Sequence, residues 1–192
     1  MHERFGLQKY MIRRKVFKLF GQAFHIYDGD GNVIFYSKLK AFKLREDVRL
    51  YTDESMTTEL LVIKARQILD FGATYDVVDG ETGENVGALR RKALKSFIRD
   101  EWIILDHQGR GIGIIREDSM ALALIRRFLL SIVPQSFSGT VDGQPVLVFH
   151  RHFNIFVLRM DLDFTPDFRD LLDRRMGIAA AVLLSAIEGR QD

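Results

Sequence analysis

At 192 residues, with 47% hydrophobic, 28% charged and 11% aromatic side chains, the chain has the make-up of a globular domain able to bury a core, not of a disordered or fibrous protein. It contains no cysteine, which excludes disulfides, thiolate metal sites and thiol nucleophiles. The formal net charge is only +2, with the basic excess in residues 1–50 (11 Lys/Arg against 5 Asp/Glu), and no groove-reading motif accompanies it, so no nucleic-acid partner is expected.

The opening stretch, residues 1–15, lacks the apolar run and small-residue cleavage site of a secretory leader, so a cytoplasmic or peripheral-membrane location is expected. From Tyr10 to Asp163, short runs of β-branched and aromatic residues alternate with Asp/Gly/Asn turns at about ten-residue spacing, the pattern of an antiparallel all-β domain. Twelve strands are expected, near 8–13, 22–28, 32–42, 47–52, 60–68, 74–79, 85–94, 100–107, 111–116, 135–142, 145–152 and 154–162. Arg13, Arg14, Lys15 and Lys18 form a small basic group on and after the first.

Asp28-Gly-Asp30-Gly-Asn32 matches the first three ligand positions of an EF-hand loop, but Val33 stands where that loop needs Gly and Leu39 where it needs a bidentate Glu. A hairpin turn is expected instead, as at Asp79-Gly80 and Asp142-Gly143. These turns lie 51 and 63 residues apart, which suggests a four-stranded unit used about three times.

The third strand carries Lys38 and Lys40, followed by Lys43 and Arg45; the seventh carries Arg90, Arg91 and Lys92, followed by Lys95. Alternation puts Lys38 and Lys40 on one face with Tyr36, opposite Val33, Phe35 and Leu39, and so in solvent. Such residues are either the ordinary charged exterior of a barrel or a binding face for anions, each Lys or Arg contributing about 1 kcal/mol near an anionic surface.

Trp102 is expected in the core or at a barrel rim. Gly109-Arg-Gly-Ile-Gly113 joins two strands and opens no helix, so it reads as a hairpin rather than a phosphate-cradling loop. Ser119 to Leu130 reads as a short external helix, and Ser136 and Ser138 belong to no nucleophile elbow. His150 and His152 share a strand face at chelating spacing, but zinc would need a third ligand such as His107 or His25, and polar strand residues are the simpler reading. Asp161 and Asp163 read as a polar strand end with capping. No catalytic residue, metal site or cofactor is expected.

The segment after Thr165 has helix-start chemistry: Thr165 as N-cap, Pro166 at the first helical position, Asp167 and Asp170 in the first turn. The expected helix runs from about 166 to 187. Its second half, Met176 to Ile187, is apolar or tiny on every side, which requires burial in a membrane or in protein. Such a stretch is about 18 Å long, short of the roughly 30 Å of a bilayer core, so no transmembrane span is expected. A closed barrel of about twelve strands has a radius of roughly 12 Å, room for one helix and a layer of inward side chains. The expectation is therefore one mainly β domain over 1–192: a twelve-stranded closed antiparallel β-barrel over about 7–163 around a central hydrophobic C-terminal α-helix.

Four stretches, Tyr10-Met-Ile-Arg-Arg-Lys15, Val33-Ile-Phe-Tyr-Ser-Lys38, Tyr75-Asp-Val77 with Val86-Gly-Ala-Leu-Arg-Arg-Lys92, and Asp173-Arg-Arg-Met-Gly-Ile-Ala-Ala-Ala181, resemble the LURP-one-related family of the Tubby C-terminal-like superfold, a relative of phospholipid scramblase. The likeness covers about residues 7–187. It implies the same barrel around a helix, and a non-enzymatic module recognising anionic phospholipid or phosphoinositide head groups at a membrane surface. The expected lipid- or anion-binding residues, read from the basic strands and not carried over from the family, are Lys38, Lys40, Lys43, Arg45, Arg90, Arg91, Lys92 and Lys95. A scramblase's cysteine-rich palmitoylation segment has no counterpart in this cysteine-free chain. The alternatives are a scaffold domain that binds a protein partner and scramblase-like lipid transport.

Overall fold

The structure, a computed structural model, describes residues 1–17, 21–39, 47–69, 72–92, 101–118, 135–152 and 158–188. Twelve strands follow in order: β1 (Lys9–Phe17), β2 (Gly21–Tyr27), β3 (Val33–Leu39), β4 (Val48–Tyr51), β5 (Glu59–Leu69), β6 (Gly72–Asp79), β7 (Asn85–Arg91), β8 (Glu101–Leu105), β9 (Gly111–Glu117), β10 (Gln135–Val141), β11 (Gln144–His152) and β12 (Leu158–Asp163). Each pairs antiparallel with its sequence neighbours, and β12 returns to β1 with Ile12 opposite Met160, closing the barrel. Closure gives every strand a neighbour on both sides, the thinnest seam being β3–β4, joined among the described residues at Tyr36 and Tyr51.

One α-helix, α1 (Arg174–Glu188), follows the barrel. It touches β12 and β1 on one side and β6 and β7 on the other, walls half a circumference apart, and so runs through the lumen. Ile178, Ala179, Ala181, Val182 and Leu183 are fully buried, packed in one cluster with Ile12, Phe24, Phe35, Leu61, Leu89 and Phe149 of the wall. Small residues set how closely helix and wall approach. A Cβ on Gly177 would lie 2.4 Å from the Phe164 ring, and one on Gly87 would lie 2.4 Å from the Leu105 carbonyl and 3.2 Å from Met176 Sδ.

The helix starts later than the capping chemistry around Thr165 suggests. The three acidic residues there serve turns instead: Asp163 accepts from Thr165 N at 2.7 Å, and Asp167 accepts from Leu171 N at 2.8 Å and Leu172 N at 3.0 Å. Asp170 adopts φ 50°, which no α-helix accommodates. The N-cap is Asp173, whose carboxylate accepts from Arg175 N at 2.9 Å. At the other end Arg14 donates to the Ser185 carbonyl at 2.7 Å, placing a cation where the helix dipole is negative.

All connections at the rim where α1 enters lie among the described residues. Three of them, following β2, β6 and β10, are the Asp-Gly turns, one every fourth strand. In the first, Asp28 accepts from Asp30 N at 3.0 Å and Asn32 N at 2.8 Å, so the EF-hand look-alike is a hairpin cap. The connections at the far rim, with the expected helix over 119–130, lie outside the described residues. Among those described, no helix is long and apolar enough to cross a membrane.

Candidate functional site

The outer wall of β12, β1, β2 and β3 gathers cations that the sequence separates. Lys15 stands opposite Ala23, and Ala23 opposite Lys38, so the two lysines flank one small residue, about 10 Å apart at the usual strand spacing. Ala23 points outward yet is only 3% exposed, overhung by its neighbours. One step along the strands, Arg13 lies between Arg159 and His25. Arg13, Lys15 and Lys38 are exposed, and among the described residues none of them forms an ion pair.

Beside these cations the wall is aromatic. His25 and Tyr36 face outward but are 6% and 8% exposed, their rings 5.1 Å apart, with Tyr27 stacked on His25 at 6.3 Å. The connection between β4 and β5 reaches over them: Glu54 meets His25 Nε2 at 2.7 Å. Burial, and then the Glu54 charge, raise the Tyr36 hydroxyl pKa above its ordinary value.

The expected basic set does not form one patch. Lys38 lies four strands from β7, a third of the way round the barrel, about 20 Å for a radius near 12 Å. On β7, Arg90 is exposed and Arg91 turns inward opposite buried Trp102; Lys92, just past the strand, is paired with Glu101. Lys40, Lys43, Arg45 and Lys95 lie outside the described residues, as does Lys18. Arg14, placed by its sequence among surface cations, is an interior residue, because alternation along β1 sends it inward with Tyr10 and Ile12. Val33 is not on the buried face with Phe35: a bulge opposite Tyr27 shifts it out to 40% exposure.

A second polar group lies on the wall of β10, β11 and β12. Ser136 Oγ is 3.1 Å from His150 Nδ1, and His152 Nε2 is 2.6 Å from Asp161. The two imidazoles meet edge-on at 5.0 Å. Ser136 and His150 have nucleophile–base spacing, but the adjacent carboxylate orients His152 and also meets Arg159, at 3.4 Å. His25 is three strands away, and among the described residues no three His, Asp or Glu side chains are placed to hold a metal.

The most heavily bonded charge among the described residues was not legible in the sequence. Arg175, at the mouth of the lumen, meets Asp79 at 2.7 Å, Glu84 at 2.8 Å and Asp173 at 2.6 Å while only 7% exposed. The Asp173 hydrogen bond, then those of Glu84 and Asp79, raises its pKa beyond the usual range despite burial. Burial would raise the Asp79 pKa, but hydrogen bonds from Thr82 and Arg175 outweigh it and hold the carboxyl below the ordinary range. These groups are 91 and 96 residues apart in sequence, and no local motif announces the pairing.

Compared with family models, with curated proteins and with solved structures, the chain matches none.

Proposed function

We propose that the barrel is a non-enzymatic binding module that recognises anionic phospholipid head groups at a membrane surface. The observation that carries this reading is the wall of Arg13, Lys15 and Lys38, exposed together and unpaired among the described residues. Elsewhere on the wall Arg49 is matched by Glu59 at 2.5 Å and Arg66 by Asp76 at 2.6 Å, while Lys64, Arg90 and Arg116, also without an ion pair among the described residues, stand on separate strands rather than together. Three unmatched cations at about 1 kcal/mol each favour an anionic surface by roughly a hundredfold in partitioning. The sequence resemblance to the LURP-one-related family and the lipid-binding members of its superfold points the same way. Lipid transport is less well supported, since α1 and the inward side chains fill the lumen.

The test is flotation of the purified protein with neutral vesicles and with vesicles carrying acidic phospholipids, at low and physiological salt. Binding is expected only to acidic vesicles, weakened by salt, and reduced about a hundredfold by Lys15→Glu with Lys38→Glu. Arg90→Glu, four strands away, is expected to have a smaller effect. Equal loss in both variants would mean diffuse charge rather than a site, and no binding to acidic vesicles at low salt would end the lipid reading.

A further inference from the structure

The rim where α1 enters is acidic and, among the described residues, carries five of the six exposed large apolar side chains. Its described connections and the N-terminal segment (residues 1–8, 28–32, 52–58, 80–84, 106–110, 142–143 and 164–173) contain twelve Asp/Glu against three Lys/Arg. Among the described residues six large hydrophobic side chains are exposed: Met1, Leu7, Val33, Met56 and Phe168 on this rim, and Val148 on the wall.

Phe168 is the most exposed of them, at 80%, and the turn that carries it is hydrogen-bonded on both sides. Asp167, 3% exposed, accepts from Leu171 N and Leu172 N with its two oxygens, and its own N–H donates to the Phe164 carbonyl at 2.9 Å. On the other side Arg174 bonds Asp170 at 3.0 Å and lies 4.5 Å over the Phe164 ring. The turn thus presents an aromatic ring to solvent on a backbone that is already ordered, which lowers the entropy cost of binding. Burying such a ring is worth about 1.5–3 kcal/mol, a gain this fold leaves unused.

We propose that this rim is a protein-docking surface, with Phe168 as its apolar anchor, for a cationic polypeptide segment bearing Lys or Arg around aliphatic or aromatic residues. Charge selects the occupant. Twelve carboxylates, against five cations once Arg174 and Arg175 at the mouth are counted, repel an anionic membrane and attract a basic chain, while steering its encounter. Among the carboxylates, Asp28 and Asp53 are held below the ordinary pKa range chiefly by side-chain hydrogen bonds with Asn32 and Ser55, and so stay charged at neutral pH.

The test is selection of a phage-displayed random peptide library on the immobilised full chain, followed by titration of the enriched peptides. The expected peptides are rich in Lys and Arg with at least one apolar residue. Their affinity falls about tenfold or more for Phe168→Ser, falls again for Glu3→Gln/Asp30→Asn/Glu81→Gln/Asp142→Asn, and weakens with salt. Lys15→Glu/Lys38→Glu leaves it intact, which separates this surface from the lipid-binding wall. No enrichment, enrichment of neutral or acidic peptides, or equal affinity for Phe168→Ser overturns the proposal. So does concentration-dependent self-association abolished by Phe168→Ser, which would make the occupant a second copy. Binding to neutral vesicles lost in Phe168→Ser would make it a membrane and equally overturn the proposal.

Discussion

Asp79 closes the β6–β7 turn through the Thr82 N–H at 2.9 Å and anchors Arg175 of α1, so one carboxylate ties the barrel to the helix. Its pKa is depressed in the folded state, so its stabilisation is present above the unfolded value near 4 and is lost as pH falls through the lower folded value. Asp79→Asn is expected to cost about 1–3 kcal/mol at neutral pH, since Arg175 keeps Glu84 and Asp173. Urea midpoints measured from neutral to acid pH should show that penalty shrinking below about pH 4; a constant penalty would mean the charge of Asp79 contributes nothing. Gly177 makes a complementary case. Alanine is better than glycine in a helix interior by about 1 kcal/mol, but a Cβ here would lie 2.4 Å from the Phe164 ring. Gly177→Ala is therefore expected to lose about 1–3 kcal/mol, and Phe164→Leu in the same chain should recover part of it in a double-mutant cycle.

Along the elements, legibility followed the range of the forces. The strands were readable because alternation and turn chemistry act over two to five residues: β3, β7 and β11 each begin within one residue of the expected start. The helix start was not, because Thr165-Pro166-Asp167 satisfies local capping rules that Asp170, at φ 50°, interrupts. Only the docking of Phe164 and Leu172 into the core shows that this segment must turn before entering the lumen. Since α1 fills the barrel from β12 and β1 to β6 and β7, the wall has no core without it. Truncation after Asp173 is expected to abolish the cooperative thermal transition and expose apolar surface to a hydrophobic dye. A monomeric truncated chain melting like the full one would refute the central-helix account.

Charge among the described residues is polarised across the whole barrel. Carboxylates dominate the rim where α1 enters, while Lys15, Lys38 and Arg90 are near the strand ends of the opposite half. On the proposed lipid-binding function, this asymmetry turns the basic wall toward an acidic surface and leaves the acidic rim facing away. With no native cysteine to interfere, single labels can test the orientation. An environment-sensitive dye at Lys15→Cys is expected to shift on acidic vesicles, and one at Thr57→Cys on the opposite rim is expected not to. Equal shifts would mean binding without orientation.

The sequence by itself determined the twelve strands, their turns, the closed barrel and the buried terminal helix, because periodicity, turn chemistry and unbroken apolarity are local and leave few ways to bury what they expose. Tertiary structure alone decided which charges meet. Arg14 turned from surface cation to helix cap, Arg91 turned inward, Arg175 found partners more than ninety residues away, and Lys38 joined Lys15 rather than Arg90. Those outcomes depend on strand register and on the direction round the barrel, quantities set by the packing of all twelve strands together and carried by no short stretch of chain.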